Sequence, residues 1–549
     1  MSLPVEALAR YSDLHPKLSY EKFHYGTAGF RMAGSLLDSV MFRVGVLAAI
    51  RSKRLEGKTI GVMVTASHNP PVDNGVKLVD PRGEMLEASW ERHATVLANT
   101  TSTDEFIDAV DKLVKTYKIN LDHPANVLYA RDTRPSGVEL VAALEDGLKA
   151  MGANGRNEGV QTTPILHYLV RCVNTKGTPE AYGEDTVEGY IKSTADAFKK
   201  LIAGKPAPPP LVVDCANGVG YVALKQFAEY LGPAITFIPM NNDLENAAAL
   251  NSDAGADYVK TNQKFPPSIA PVLAPGQRAC SLDGDADRLI YYYLNSRKQF
   301  RLLDGDKIAA LVAGFITDLV KGAGLEGQID VGLVQTAYAN GASTKYLEKR
   351  LPVACVPTGV KHLHRAALRY GVGVYFEANG HGTVVFSPAT YEVLASYQPS
   401  TPTQATYLEY LNLLPKLINQ TIGDALSDML LVEAVLAHKH YTALEWDSIY
   451  IDLPNRLLKV VVPNRNIFQT EDAERRLVHP EGMQKLIDDH VKKFESGRAF
   501  VRPSGTENVV RVYAEASDQG QADQIALKIA GIIYDETGGD PFERPGEFL

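Results

Sequence analysis

The sequence has few cysteines, no long apolar run and no excess of positive charge. Its four cysteines, Cys172, Cys215, Cys280 and Cys355, are far apart and form neither a CxxC motif nor a cluster with histidine. Neither a zinc site nor a disulfide framework is therefore indicated, and a reducing compartment fits this cysteine usage best. The most apolar stretch, residues 308–316, has about half the length that a membrane-spanning helix needs. The start, MSLPVEALARYSDLHPK, also lacks the apolar core of a signal peptide, so we expect a cytoplasmic protein.

The charge balance of the chain is acidic. Lysine and arginine number 56 against 65 aspartate and glutamate residues, which gives a formal net charge of −9. Such a chain has no long-range attraction to nucleic acid or to an anionic membrane, so we expect neither as a partner, and any bound phosphate must be held by local basic pockets. With 45% hydrophobic and 22% charged residues among 549, the composition is that of a soluble globular protein of about three to five domains.

Apolar runs rich in valine and isoleucine alternate with helical patterns over most of the chain, which predicts βαβ units and parallel sheets. Two clear units span residues 211–240 and 331–378. After about Asp452 the order changes to strand, helix, strand, loop, strand and helix, which is typical of a small α+β domain. We predict an α/β fold with three successive mixed α/β (βαβ) domains and a smaller C-terminal α+β domain. The predicted ranges are 1–190, 191–297, 298–452 and 453–549.

Three polar or proline-rich segments are interpreted as connections between these units. GKPAPPP at 204–210 predicts a stiff linker before a strand. NSRKQFRLL at 295–303 is interpreted as a link from a strand to a helix that opens at Asp304. QPSTPTQ at 398–404 predicts a long surface excursion.

The first loop with candidate catalytic residues is TASHNP, which follows the predicted strand GKTIGVMV. It delivers Ser67 at the end of a buried strand, and His68, Asn69 and two prolines follow, so we expect the serine in a fixed, exposed turn. An Asn-Pro turn with an incidental serine is an equally good interpretation of this loop alone. The absence of a GxSxG elbow disfavours a Ser-His-Asp hydrolase. Ten residues on, Lys77 can neutralise an anion or move a proton.

The second loop, DGDADR, places Asp283, Asp285 and Asp287 at alternate positions between two predicted strands. Three carboxylates that point to one side repel each other unless a cation lies among them, and carboxylate oxygens are hard ligands that suit Mg²⁺ or Ca²⁺. An EF-hand is the main alternative, but its sixth position should be glycine and is Arg288, and its twelfth should be glutamate and is Leu294. We therefore predict a metal site with open coordination positions.

The third loop, EANGHGT, follows the predicted strand GVYF. Glu377 and Asn379, two residues apart at the carboxyl end of a strand, can form hydrogen bonds to sugar hydroxyls, and His381 can shuttle a proton near neutral pH. A glycine-rich turn with a solvated histidine is at least as good an interpretation of this segment by itself.

The fourth loop is RPSGTE at 502–507. An arginine, two hydroxyls and a glycine whose backbone allows close approach can form a phosphate cradle, and Arg511 adds a second guanidinium. Because the chain is acidic overall, arginine gathered on one loop points to a local anion site.

Together, and in this chain order, these loops resemble the α-D-phosphohexomutase superfamily. TASHNP is similar to its phosphoserine loop, DGDADR to its metal loop, the Glu377 loop to its sugar loop and RPSGTE to its phosphate loop, while GTAGFR at 26–31 resembles its opening signature. The segments EANGHGT and TGVKHLH are most similar to those of the eukaryotic phosphoacetylglucosamine mutases. Asn379 stands where phosphoglucomutases and phosphomannomutases usually carry the serine of a Glu-x-Ser pattern, which favours an N-acetylated sugar.

The resemblance implies a mutase that interconverts N-acetylglucosamine 6-phosphate and N-acetylglucosamine 1-phosphate in UDP-N-acetylglucosamine biosynthesis. A phosphorylated Ser67 would form a hexose 1,6-bisphosphate, which is intermediate and activator, and one Mg²⁺ per site would bind Ser67, Asp283, Asp285 and Asp287. The catalytic residues would be Ser67, His68, Lys77, Arg31 and His381, with the choice of Lys77 or His381 as acid/base left open.

The resemblance also implies a substrate site in a central cleft between the four domains. Its residues would be Glu377, Ala378, Asn379, Arg502, Pro503, Ser504, Gly505, Thr506, Arg511, Thr358, Gly359 and Lys361. The domains would carry, in order, the phosphoserine loop, the metal-binding loop, the sugar-recognition loop and the C-terminal phosphate loop. A small-molecule sugar phosphate is then the expected partner. A phosphoglucomutase or phosphomannomutase, a silent sugar-phosphate-binding protein and a serine phosphatase are the alternatives.

Overall fold

The chain folds into three successive sheets flanked by helices, followed by a small C-terminal sheet. The computed structural model describes residues 2–18, 20–26, 29–504 and 508–538. The predicted class, three mixed α/β domains and a C-terminal α+β domain, is confirmed by the order of elements and by the sheet topology. No helix within these described ranges is long and apolar enough to cross a membrane.

The first sheet has the strand order β1-β3-β2-β4-β5. Its strands are β1 Phe30–Ala33, β2 Ile60–Val64, β3 Asp73–Val79, β4 Asn126–Arg131 and β5 Asn154–Val160. Strands β2, β4 and β5 are parallel, while β1 and β3 are antiparallel to their neighbours. The accompanying helices are α1 Val5–Ser12, α2 Asp38–Arg54, α3 Ala88–Ala98, α4 Thr103–Thr116, α5 Gly137–Ala150, α6 Thr163–Thr175 and α7 Val187–Leu201. Strand β2, IGVMV, is buried along its whole length because the sheet is covered on both faces.

The second sheet has the order β10-β9-β8-β6-β7. It contains β6 Leu211–Asp214, β7 Phe237–Met240, β8 Arg278–Leu282, β9 Leu289–Leu294 and β10 Phe300–Leu303, with helices α8 Gly220–Leu231 and α9 Ala256–Asn262. The interpretation of 295–303 as a plain link is wrong, because Phe300–Leu303 pairs antiparallel with β9 and the segment is the second half of a hairpin. The proline-rich segment 204–210 lies between α7 and β6 and contains no helix or strand.

The third sheet has the order β12-β11-β13-β14. Its strands are β11 Val331–Gln335, β12 Val353–Cys355, β13 Val372–Phe376 and β14 Gly382–Phe386. The helices of this region are α10 Gly305–Ala323, α11 Gly341–Leu347, α12 Val360–Ala367, α13 Pro388–Ser396, α14 Pro402–Leu417, α15 Ala425–Lys439 and α16 Ala443–Asp447. The predicted long excursion at 398–404 is wrong in extent, because α14 begins at Pro402, whose fixed φ suits the first turn of a helix.

The C-terminal sheet has the order β15-β19-β18. Its strands are β15 Asn455–Val461, β18 Arg498–Pro503 and β19 Val509–Glu515, with a separate ribbon of β16 Gln469–Glu471 and β17 Arg476–His479 and helices α17 Met483–Val491 and α18 Gln519–Glu536. Alternate residues Leu458, Val460, Val510 and Val512 form one buried core with the apolar side chains of α18. The paired residues Phe500 and Tyr513 point to the other face, where they form a separate small cluster with Ala337, and polar residues share that face.

The chain divides into two compact units. One comprises Met1–Asp304, Asn379–Thr383 and Asn412–Ala443, and the other comprises Gly305–Ala378, Val384–Leu411 and Leu444–Leu549. The four predicted domain ranges stay a prediction.

Candidate functional site

The loop after β2 holds Ser67 in the left-handed conformation, with φ of 53°. The Ser67 backbone N–H donates to Thr65 Oγ1 at 2.9 Å, and Ser67 Oγ donates to Asp283 Oδ2 at 2.7 Å. The structure thus brings the first two predicted loops into direct contact. The expectation of an exposed serine is wrong: Ser67 is 1% exposed, because the loop that carries Asp283 packs onto it.

Arg134, which the sequence interpretation missed, lies in the turn after β4 and forms hydrogen bonds to this loop. Its Nη1 and Nη2 donate, at 2.6–2.9 Å, to the backbone carbonyls of Ser67, Asn69, Pro70 and Asp73. Its Nε donates to Asp132 Oδ2 at 3.0 Å, so every N–H of the fully buried guanidinium group has a partner. The strand position held a signal for Arg134, since β4 is the parallel neighbour of β2 and their carboxyl ends share one edge.

Asn251 holds the same loop from the second sheet's domain. Its Nδ2 donates to the carbonyl oxygens of Ser67 at 2.9 Å and Asn69 at 3.1 Å. Asn251 lies in an irregular segment after β7, where no motif marks it, so sequence patterns held no signal for it.

Gly284 makes the contact between the two loops possible. A Cβ at this position would lie 2.5 Å from the carbonyl oxygen of Ser67 and 2.8 Å from Asn251 Nδ2. The second residue of DGDADR is therefore glycine because any side chain there would push the aspartate loop away from Ser67.

The three aspartates of DGDADR lie buried in the turn between β8 and β9. Asp283 Oδ1 accepts the backbone N–H groups of Asp287 and Arg288 at 3.0 and 3.1 Å. Asp285 Oδ2 accepts Lys77 Nζ at 3.0 Å, and Lys77 Nζ also donates to Asp287 Oδ2 at 3.3 Å. The predicted lysine and the predicted triad are therefore in contact.

Thr163, at the start of α6, is a further contact that the sequence interpretation missed. Its Oγ1 donates to Asp285 Oδ2 at 2.6 Å. This bond fixes one oxygen of the Asp285 carboxylate and leaves the other for a different partner.

The donor set fits a hard divalent cation. Asp283, Asp285 and Asp287 each offer an oxygen, and these atoms lie within 4.8 Å of one another. The buried Oδ1 atoms of Asp285 and Asp287 accept no hydrogen bond from any described residue. Buried carboxylate oxygens without partners are costly, whereas Mg²⁺ would satisfy them at once. These three residues can hold the metal.

The electrostatics of the three aspartates also favour a bound cation. Burial, and then the charges of Asp287 and Asp285, raise the pKa of Asp283 well above its usual range. Burial alone would lower the pKa of Lys77, but Asp285 and Asp287 raise it overall, so Lys77 is a cation. Without a second cation one buried carboxylate favours its protonated form.

The predicted residues beside Ser67 carry different charges. His68 Nδ1 lies 3.4 Å from Ser67 Oγ, and burial together with the neighbouring Arg288 and Arg31 lowers the pKa of His68 to about 3. His68 is therefore neutral near pH 7. Arg31, on β1, donates from Nη1 to Asn69 Oδ1 at 3.5 Å, and burial lowers the pKa of its guanidinium.

The segment Asn379–Thr383 belongs to the same unit as the triad. Asn379 Oδ1 accepts the backbone N–H of His381 at 3.0 Å, and His381 Nδ1 lies 2.9 Å from the carbonyl oxygen of Asp287. Gly380, with φ of 87°, is required because a Cβ there would lie 2.1 Å from the carbonyl oxygen of Leu289. Glu377 and Ala378 directly follow β13 in the other unit.

The predicted phosphate residues lie on the C-terminal sheet. Arg502 on β18 and Arg511 on β19 are paired directly opposite each other. Pro503 ends β18, and the backbone N–H of the buried Ser504 donates to the Val509 carbonyl at 2.9 Å. Gly505 and Thr506 lie outside the described residues.

Glu474, which the sequence interpretation missed, joins two predicted segments. Its Oε1 accepts Arg502 Nε at 2.8 Å, and its Oε2 accepts the backbone N–H of Thr358 at 2.8 Å. Glu474 thereby connects Arg502 to the TGVKH segment. In that segment Gly359 is the N-cap of α12 and Lys361 lies in its first turn.

Comparisons with known proteins cover nearly the whole chain. Residues 45–105 and 95–178 match the family model of phosphoglucomutase/phosphomannomutase domain I, and residues 457–532 match that of its C-terminal domain. Residues 179–290 and 304–441 match the models of domains II and III of phosphoacetylglucosamine mutase AMG1.

One curated relative and two solved structures of a second relative illustrate the similarity. The phosphoacetylglucosamine mutase of Candida albicans is 45% identical over 545 residues, covering 96% of this chain and 99% of the relative. The Aspergillus fumigatus N-acetylphosphoglucosamine mutase with GlcNAc-6P and magnesium has 49% identity and a TM-score of 0.94, over 98% and 100% of the two chains. A serine-to-alanine variant of that enzyme with glucose 1,6-bisphosphate has 49% identity and a TM-score of 0.93, over 98% and 99%.

Proposed function

Since the chain belongs to the phosphoacetylglucosamine mutase family and is thus a phosphoryl-transferring mutase, we propose that it interconverts N-acetylglucosamine 6-phosphate and N-acetylglucosamine 1-phosphate. The observation that carries this proposal is the contact of Ser67 Oγ with Asp283 in a buried centre that also holds Lys77, Asp285 and Asp287. A phosphorylated Ser67 is the proposed resting form of the enzyme.

In the first half of the proposed reaction the phosphoryl group passes from Ser67 Oγ to the free hydroxyl of the sugar monophosphate. The bond from phosphorus to Oγ breaks, a bond to the sugar oxygen forms, and the hydroxyl proton leaves to a base. The product is a 1,6-bisphosphate. After this intermediate turns round, its other phosphoryl group returns to Ser67 Oγ and the proton returns to the sugar oxygen.

Between the two candidate acid/base residues, hydrogen bonding favours His381 as the proton acceptor. His381 Nδ1 lies 2.9 Å from a carbonyl oxygen, which can only accept, so the ring proton belongs on Nδ1 and Nε2 carries the lone pair. No described residue forms a hydrogen bond with the buried Nε2 atom. Lys77, by contrast, donates to two carboxylates. We assign Lys77 to charge neutralisation, together with Arg31.

Asp283, Asp285 and Asp287, with an oxygen of phosphorylated Ser67, would hold Mg²⁺. When bound, the ion would neutralise charge on the transferring phosphoryl group. The solved relative with GlcNAc-6P and magnesium supports this assignment. His68 is neutral because its pKa is lowered to about 3, so it adds no positive charge beside Ser67 Oγ.

The remaining predicted residues are assigned to the substrate. We propose that Glu377, Ala378 and Asn379 recognise the sugar and that Thr358, Gly359 and Lys361 support it. The second phosphate is assigned to Arg502, Pro503, Ser504, Gly505, Thr506 and Arg511. A grip that recognises only phosphate accepts either end of the bisphosphate, as reorientation requires. The solved relative with glucose 1,6-bisphosphate supports such an intermediate.

The four predicted ranges are proposed as phosphoserine-loop, metal-loop, sugar-recognition and phosphate-binding domains. We also propose that the enzyme acts in the cytoplasm, where N-acetylglucosamine 1-phosphate is the form that a uridylyl transfer consumes to make UDP-N-acetylglucosamine.

Incubation of the purified protein with N-acetylglucosamine 6-phosphate, Mg²⁺ and a trace of glucose 1,6-bisphosphate tests the proposal. We expect formation of the 1-phosphate, and its absence would contradict the proposed function. Ser67→Ala should lower kcat by at least about 10³-fold. The matched control is Ser396→Ala, which removes an exposed helical hydroxyl and should retain full activity.

Two measurements separate the alternatives. Intact mass spectrometry should show one added phosphate on the parent protein, lost on addition of substrate and absent from Ser67→Ala; a silent binding protein would show no such exchange. Values of kcat/KM on the N-acetylglucosamine, glucose and mannose phosphates rank the sugars. Release of inorganic phosphate as the main product would indicate a phosphatase.

A further inference from the structure

Three cations form one row across the C-terminal sheet. Arg502 on β18 pairs directly opposite Arg511 on the central strand β19, and Arg511 pairs directly opposite Lys459 on the edge strand β15. Because directly opposite residues of an antiparallel pair point to the same face, the three side chains share one face of the sheet. Neighbouring strands lie about 4.8 Å apart, so the row spans about 10 Å.

This row lies on the face away from the core. The flanking residues Leu458, Val460, Val510 and Val512 point to the opposite face and pack against α18. Burial decreases along the row: Arg502 and Arg511 are half-buried, whereas Lys459 is exposed. The row therefore leads from solvent, at the sheet edge, to the two arginines already assigned to phosphate.

The row is unfavourable without an anion. Like charges directly opposite each other in a sheet are destabilising. Glu474 compensates Arg502, but neither Arg511 nor Lys459 forms an ion pair with any described residue. Among the described residues, these three cations in register have one ion-paired carboxylate, that of Glu474, so the row favours a negatively charged ligand.

We propose that Lys459 is the third cation of this phosphate site. This proposal rests on the proposed function, since the anion is the phosphate of the sugar substrate. Lys459, at the solvent end, attracts the incoming phosphate and contacts it beside Arg511. An exposed ammonium group contributes through attraction more than through fixed geometry, so its effect falls on substrate capture and not on the transfer step.

Lys459→Gln tests the proposal against Lys485→Gln, which removes the same charge from an exposed position on α17, a helix on the core side of the sheet. We expect Lys459→Gln to raise KM for N-acetylglucosamine 6-phosphate about three- to fivefold with kcat within about twofold. Lys459→Arg should restore the parent KM, and Lys485→Gln should leave it unchanged. High salt should reduce the difference between the two glutamine variants, because it screens exposed charges.

Equal KM values for the two glutamine variants at low salt would overturn the role of Lys459. Calorimetric titration with inorganic phosphate separates this outcome from failure of the proposed function. If the parent protein converts no sugar phosphate, weaker phosphate binding by Lys459→Gln than by Lys485→Gln still supports the site. Equal phosphate binding overturns it.

Discussion

The two charged centres of the molecule differ in depth and in origin. The centre around Ser67 is buried, with Ser67, Asp283 and Asp285 each at most 1% exposed, and its members come from separate parts of the chain. The cation row of the C-terminal sheet is half-buried to exposed, and its members stand on three adjacent strands. The first centre is held by side-chain hydrogen bonds between segments that are distant in the chain, the second by strand register.

The difference matches the demands of the proposed reaction. Phosphoryl transfer needs donors and charges that are already in place where charge develops, and burial strengthens their interaction. A site that must take hold of either phosphate of a reorienting intermediate benefits from solvent access and from long side chains. Substitutions in the buried centre should therefore lower kcat, and substitutions in the row should raise KM.

Among substitutions that leave Ser67 in place, the largest effect is expected from Asp285→Asn, which keeps the shape but removes the charge that faces Lys77. We expect kcat/KM to fall by about 10² to 10³-fold, with a weaker dependence of the rate on Mg²⁺ concentration. Chelation of the metal should abolish activity of the parent enzyme, and added Mg²⁺ should restore it. The control is Asp253→Asn, at an exposed left-handed position that asparagine tolerates. If the rate of Asp285→Asn depended on Mg²⁺ concentration as that of the parent does, the assignment of Asp285 to the metal would be contradicted.

Asn251→Ala tests whether the Ser67 loop must be held in place. It removes the hydrogen bonds from Asn251 to the carbonyl oxygens of Ser67 and Asn69 while the Ser67 side chain stays unchanged. We expect kcat to fall by up to about 10²-fold with little change in KM, because displacement by about 1 Å is enough for such a loss. Asn262→Ala, which loses one exposed hydrogen bond on α9, is the control. A rise in KM at constant kcat would show that Asn251 acts on binding instead.

Arg511→Gln addresses the other centre. The loss of a charge-assisted hydrogen bond to phosphate should raise KM about tenfold, while kcat stays within about threefold. Arg456, on the neighbouring strand β15, points to the other face of the sheet, so Arg456→Gln is the control. A fall in kcat at constant KM would show that Arg511 acts in phosphoryl transfer. The two centres would then not differ in the way proposed.

The smallest effect is expected from an ionic cluster outside both centres. Although partial burial lowers it, hydrogen bonds to Asp38 and Asp146 raise the pKa of His15 overall. A raised pKa stabilises the fold fully below the ordinary value of about 6.5, and the contribution is lost as pH rises through the folded value. His15→Gln should cost under ~1 kcal/mol of unfolding free energy at pH 6 and almost nothing at pH 9, measured by urea denaturation. A constant difference between the two pH values would rule out this linkage.

Much of the fold could be predicted from the sequence because strand and helix periodicity is local. The units at 211–240 and 331–378 follow the predicted alternation of strands and helices, and the DGDADR turn lies between two strands as predicted. The hairpin strand β10 was missed because NSRKQF is polar and Phe300–Leu303 is short. The burial of Ser67 was missed because burial depends on what packs over a loop, which its own residues do not encode.

By itself, the sequence determined which loops carry chemistry, since the residue types of TASHNP, DGDADR and RPSGTE already limit what each loop can bind. Only the tertiary structure decided which loops meet. Ser67 reaches Asp283 across 216 positions of chain, and Asn251 reaches Ser67 across 184. The roles of Asn251, Thr163 and Glu474 became visible only in the tertiary structure. The physical reason is that a hydrogen bond depends on distance in space, and the packing of whole sheets and helices sets that distance.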